Sequence, residues 1–193
     1  STIKLTDVGM RGMNLIGNRL MLTSERSQIA DDNQRRVSIY SMTIYSLENR
    51  QRPELLVEQD LASSILPLNM NYTVNQEYFV SNFQSMGISD SIAKVFDIRD
   101  PRNPKETTVD LPNFTYATWY QDTLVLYGSE ELSFYRIDAN ECFSPIGKIQ
   151  VGSIARSLSF SDYRMFVPRS SLGLDIYQIL QIDSTGVSDW TQF

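Results

Sequence analysis

Apolar and polar positions alternate along this chain in short blocks, and the blocks recur in a fixed order. A polar turn leads into a run such as Asn18-Arg19-Leu20-Met21-Leu22, and a second run such as Ile44-Tyr45-Ser46-Leu47 follows it. The same pair returns as Gln76-Glu77-Tyr78-Phe79-Val80 with Val95-Phe96-Asp97-Ile98. It returns again as Asp122-Thr123-Leu124-Val125-Leu126 with Phe134-Tyr135-Arg136-Ile137, and as Asp162-Tyr163-Arg164-Met165-Phe166 with Ile176-Tyr177-Gln178-Ile179. Alternation of period two marks half-buried strands. The aromatic of the second run stands at 45, 96, 135 and 177, so the spacings are 51, 39 and 42 residues. A strand-built period of roughly 40 to 50 residues predicts an all-β, β-propeller-like array.

Each repeat divides further into four short strands. The first is expected at Gly12 to Ile16, Leu68 to Val74, Thr115 to Tyr120 and Ala155 to Phe160. Turns at Gly17-Asn18, Asn75-Gln76, Gln121-Asp122 and Ser161-Asp162 lead into the second, because Gly, Asn and Asp tolerate positive φ or bond their own backbone. The aromatic run is the third, and a polar turn precedes a fourth at Glu54 to Glu58, Glu106 to Leu111, Ile146 to Val151 and Val187 to Phe193. The expectation is one domain over residues 1–193, with about four four-stranded antiparallel blades over 6–60, 61–111, 112–151 and 152–193. Ile3-Lys4-Leu5 resembles the outer strands that precede later repeats, so residues 1–5 read as a strand of a closing or preceding blade. The array is then either self-closed or part of a larger propeller.

Loops between the second and third strands differ most in length. Ser24 to Arg36 reads as a long charged excursion and Asn82 to Ser91 as a second one. Repeat proteins carry variable insertions on one face, often the binding face. Candidate partner contacts are therefore Glu25, Arg26, Asp31, Asp32, Arg35 and Arg36 in the first loop, with Phe83 and Met86 in the second.

Composition narrows the chemistry. The net charge is −6 and the basic residues are scattered, which argues against a nucleic-acid partner. No apolar run approaches the roughly 18 to 20 residues that span a bilayer as a helix. One cysteine, Cys142, leaves no internal disulfide and no cysteine metal cluster. There is no histidine, so Ser-His-Asp and Cys-His catalysis and HExxH zinc sites are excluded within this chain. No glycine-rich phosphate loop is present. Paired acids occur at Asp31/Asp32, Asp97/Asp100 and Glu130/Glu131; the last two pairs read as a turn cap and a hairpin tip. No catalytic residue, metal ligand or cofactor is expected.

The second repeat carries a more specific pattern. Lys94-Val95-Phe96-Asp97-Ile98-Arg99-Asp100-Pro101-Arg102-Asn103-Pro104-Lys105 resembles the turn of the LVIVD-type β-propeller repeats of bacteria and archaea. Asp100 caps such a turn, Pro101 presets φ, and Pro104 starts the outer strand without needing a donor. Tyr45 to Pro53 is a degraded version in the first repeat. The resemblance implies a family defined by scaffold, common in extracytoplasmic proteins, and it brings no catalytic residue with it. The expected function is a non-enzymatic protein-protein interaction or scaffold module, periplasmic or extracellular, with homodimerisation through open blade edges in view. The alternatives are a His-free propeller enzyme using carboxylates on glycans, or a structural part of a larger propeller.

Overall fold

The alternating runs fold as antiparallel strands, and hydrogen bonding ties them into sheets in the order of the repeats. The computed structural model describes residues 8–29, 36–65, 68–85, 91–107, 109, 111–112, 114–128, 130–137, 142–152, 154, 157–169, 173–179, 182–183, 186–187 and 190–192. The strand anticipated within residues 1–5 lies outside them.

The first sheet comprises β1 (Val8–Ile16), β2 (Arg19–Ile29), β3 (Arg36–Ser46) and β4 (Glu54–Ser64), in that order. The second comprises β5 (Leu68–Val74), β6 (Tyr78–Ser85), β7 (Ser91–Asp97) and β8 (Lys105–Thr107). In the third, β9 (Tyr116–Tyr120), β10 (Thr123–Tyr127), β11 (Glu131–Ile137) and β12 (Phe143–Gln150) follow the same meander. The fourth has β13 (Ser159–Ser161), β14 (Arg164–Arg169) and β15 (Gly173–Ile179). The small hairpin of β16 (Ile182–Asp183) and β17 (Gly186–Val187) comes next, and β18 (Trp190–Gln192) completes the sheet. The protein is all-β, a propeller-like series of four-stranded antiparallel blades.

Two segments expected as loops are strand. Ser24 to Ile29 continues β2 and pairs as far as Ile29 with Arg36, and Asn82 to Ser85 continues β6. Extended pairing satisfies backbone groups that a polar loop would leave to water. The last inner turn is also one residue later than expected. Ser161 pairs with Arg164, so the loop is Asp162-Tyr163, with φ of 47° and 61°. Positive φ at both central residues is the hand that a two-residue hairpin requires. Gly17, at φ 56°, meets the same need in the first sheet without steric cost.

The turn after the third strand repeats in atomic detail. Asp97 Oδ1 accepts from the Arg99 amide at 2.9 Å and Asp100 Oδ1 from the Arg102 amide at 3.1 Å. In the first sheet Ser46 Oγ accepts from Glu48 N at 3.3 Å and Asn49 Oδ1 from Gln51 N at 3.1 Å. Asp100 O and Asn49 O then close equivalent turns with the amides of Asn103 and Arg52. Turn capping is thus what the Asp97/Asp100 pair does, and the degraded first repeat keeps it.

The chain divides into two compact units, Ser1–Met70 with Val74–Thr108, and Asn71–Thr73 with Val109–Phe193. In the first, Met21, Thr23, Tyr40, Met42 and Ile44 are buried on one face of the first sheet, and Leu22, Ser24, Ser41 and Thr43 on the other. Tyr40 meets Phe83 edge-on, with centroids 5.8 Å apart, and Phe79 and Phe96 are fully buried beside it. The Tyr40 hydroxyl donates to Leu68 O at 3.0 Å and accepts from Leu68 N at 3.1 Å, so one side chain holds the start of β5. Arg19 adds a second tie, donating to Ile98 O at 2.8 Å and Gln76 O at 2.7 Å.

The second unit is built on the same plan. Val125, Tyr127, Leu132 and Phe134 of the third sheet pack with Met165, Val167 and Tyr177 of the fourth. Burial raises the Tyr127 phenol above its ordinary pKa, while a backbone hydrogen bond at Leu158 opposes the shift. That bond lies just ahead of β13, as the Tyr40 bonds lie at the head of β5.

Replacing Tyr40 with Phe keeps the ring and strands both polar groups of Leu68. Leaving a buried donor or acceptor unpaired costs about 1–3 kcal/mol. The expected result is a lower urea midpoint with an unchanged slope; an unchanged midpoint would show that water replaces the hydroxyl freely.

Candidate functional site

The candidate contacts chosen from loop length occupy strands where they are described. Glu25 and Arg26 lie in β2, and both are committed within the first sheet. Glu25 is ion-paired with Arg11, while Arg26 reaches Glu58 and Asp60, each at 3.0 Å. Burial pushes the Glu25 carboxyl up, but hydrogen bonds from Arg11 and Ser38 outweigh it and hold the group below its ordinary pKa. Arg36 opens β3, opposite the exposed Ile29. Phe83 is 1% exposed and packs on Tyr40, so this residue is core and is withdrawn from the candidate surface. Asp31, Asp32, Arg35 and Met86 lie outside the described residues.

A different surface emerges on β1, which among the described residues is an edge strand paired with β2 alone. Its pairing passes from Met10 with Ser24 to Gly12 with Thr23, so Arg11 is an extra residue bulged out of the ladder. Past the bulge, Met13 pairs with Leu22 and Leu15 with Leu20. Ser24, Leu22 and Leu20 alternate along β2 and share a face, so Met10, Met13 and Leu15 share it too. These three side chains are 56%, 63% and 68% exposed. Leu55, in line with Leu15 through Leu20 and Tyr45, adds another exposed apolar group at the opposite edge. Strict alternation would have split Met10 from Met13. The flanking Gly9 and Gly12 are the signal that an irregularity sits there.

A cavity of about 280 Å³ opens in the second unit. Pro112, Phe114, Leu126, Glu130, Glu131, Ser133 and Gln150 are among the residues that line it. Glu131 accepts from Ser133 Oγ at 2.8 Å, Lys148 Nζ at 2.9 Å and Gln150 Nε2 at 2.9 Å. The lysine hydrogen bond, then the serine one, holds this carboxyl below the usual glutamate range. Both oxygens are engaged, so the group is a structural anion and not a base awaiting a proton. Among the described residues, no group of three or more His, Cys, Asp or Glu side chains is placed to hold a metal ion. No helix of the described residues is long and apolar enough to cross a membrane.

No known family model and no curated protein matches the chain. Among solved structures, the crystal structure of a glutaminyl cyclase from Myxococcus xanthus matches with a TM-score of 0.46 and 12% identity, over 90% of this chain. The chain spans 66% of that protein, just under two thirds of its length. A likeness at this level transfers no activity.

The charged groups fix the direction of the pH response. Glu25, Asp97 and Glu131 have folded-state pKa values below their ordinary ones, Asp97 chiefly through its Arg99 hydrogen bonds. Their stabilisation is therefore full above the ordinary carboxylate range and is lost as pH falls through the depressed values. The urea midpoint should drop between about pH 5 and pH 3. Glu131→Gln should show a smaller drop over that window, and high salt should narrow the difference because the Lys148 pair is exposed. Equal drops in both proteins would contradict this account of Glu131.

Proposed function

We propose that the chain is a non-enzymatic protein-protein interaction module and that the apolar face of β1 is its contact surface, with a second copy as occupant. The carrying observation is the alignment of Met10, Met13 and Leu15 on one face of an edge strand. Single exposed apolar residues are ordinary, whereas three together on an edge strand offer both a hydrophobic contact and a margin for strand addition. Two copies would meet across a two-fold axis, each presenting the same strand.

Magnitudes set the strength of such a contact. Burying three side chains that are each roughly 60% exposed contributes on the order of 1–2 kcal/mol apiece, doubled by symmetry. Lost translational and rotational freedom costs about 4–15 kcal/mol. The balance favours a weak dimer, with a dissociation constant in the micromolar range or above.

Two further observations support a binding role over catalysis. The Glu131 carboxylate, one of two that line the cavity of the second unit, is saturated by Ser133, Lys148 and Gln150. The chain also has no histidine to supply a base near neutral pH. The LVIVD-like turn of the second repeat supports placing the module outside the cytoplasm.

Light scattering coupled to size exclusion tests the proposal on the 22.1 kDa chain. The mass should rise with concentration toward a dimer, and Met13→Lys with Leu15→Lys should hold it at the monomer while leaving the urea midpoint unchanged. Identical masses for both proteins at every concentration would overturn the assignment.

A further inference from the structure

Aromatic rings gather at the turn end of the second unit, at the margin of its core. Tyr120, the last residue of β9, stacks on Phe160 of β13, with centroids 4.7 Å apart and planes 23° from parallel. Both rings are half-buried. Beside them stands Tyr163, on the two-residue turn between β13 and β14, with 67% of its surface exposed. Tyr163 follows Phe160 by three residues, on the turn that leaves β13. Burial, then Tyr163 and Asp162, moves the Tyr120 phenol above its ordinary pKa.

Backbone conformation marks the same place. Gln121, Asp162 and Tyr163 have φ of 52°, 47° and 61°, and they are the positive-φ residues other than glycine among those described. The turn closes on β15, where Tyr163 O accepts from Ile179 N at 2.7 Å, as Asn18 O does from Leu47 N in the first sheet. It does not need a tyrosine. Asn-Gly suits such a turn best, and a bulky side chain in the left-handed region is strained. In the first sheet's inner turn Gly17 stands where Asp162 does, and Asn18, in the place of Tyr163, does not have positive φ. Here the chain instead keeps an aromatic ring that is both strained and left in water. Strained residues with exposed side chains concentrate at binding sites.

We infer that Tyr163, the free edge of the Tyr120–Phe160 stack, and the polar side chains of Gln121, Asp122 and Asp162 form a binding platform for a neutral oligosaccharide. The C–H face of a pyranose ring is apolar and lies flat on an aromatic ring, while its paired hydroxyls match the two oxygens of a carboxylate or the two ends of an amide. A two-residue turn holds Tyr163 on a rigid element, so little side-chain freedom is lost on binding. This platform is separate from the β1 surface, and its test does not depend on self-association.

Cellohexaose and chitohexaose are the probes, titrated to about 10 mM against the full chain with amide and aromatic NMR shifts followed. One or both should shift resonances of Tyr120, Gln121 and Tyr163. Tyr163→Gly should weaken binding at least about tenfold while raising Tm by about 2–4 °C, because the strain is released as the ring is removed. Tyr163→Phe should bind within about threefold of the wild type, since the stacking face is kept. No shift with either sugar, or binding unaffected by Tyr163→Gly, would overturn the proposal. So would shifts of the same tyrosines by a lysine-rich peptide in place of the sugars, which would mark a protein contact.

Discussion

In both units a buried tyrosine hydroxyl secures the backbone at the head of the next sheet. Two blades facing each other gain mostly from apolar contact, which is strong but has no direction. Tyr40 supplies direction: its ring is buried between the first two sheets, and its hydroxyl meets both polar groups of Leu68. Tyr127 does the comparable work at Leu158, from a different strand of its own sheet. A leucine at either place would fill the space and leave backbone groups unpaired in a dry interface.

Ion pairs run largely within single sheets, while Arg19 and the Arg102–Glu54 pair link the first sheet to the second. The ion pairs Arg11–Glu25, Arg26–Glu58, Arg26–Asp60 and Lys148–Glu131 run across strands of a single sheet, on partly exposed positions. Pairs of this kind add little stability individually, but they fix register, because a slip of one residue would move each partner to the opposite face. The same economy holds for Asp97, Asp100 and Glu131 among the described acids. Asp97 and Asp100 bond the amides of their own turn, and Glu131 is enclosed by its sheet neighbours.

What remains unpaired is therefore informative. Met10, Met13 and Leu15 lie on an edge, and Tyr163 lies on a turn, each exposed at a cost that the packing of its own unit does not offset. One is a sheet margin and the other a rigid tip. The two kinds of surface suit different ligands, an added strand in the first case and a flat ring in the second.

The repeat and its strands were legible because alternation is local. Leu68 to Val74 was readable to the residue, with clean period-two spacing and Asn75 ready to cap the turn, and Asp100 announced its turn by sequence alone. The surfaces were not legible. Glu25 and Arg26 read as loop residues because their neighbourhood is polar, yet their partners include Glu58 and Asp60, more than thirty residues away. Phe83 looked available until Tyr40 was brought against it. The β1 face depends on one bulged residue, and the Glu131 network depends on the register that sets Glu131 opposite Gln150 and Ser133 opposite Lys148. By itself the sequence determined which segments become strands and where most turns fall, since both follow from steric preferences within a few residues. Tertiary structure alone decided which faces are dry, which charges meet and which rings stay in water, because those outcomes require hydrogen-bonded register between distant segments.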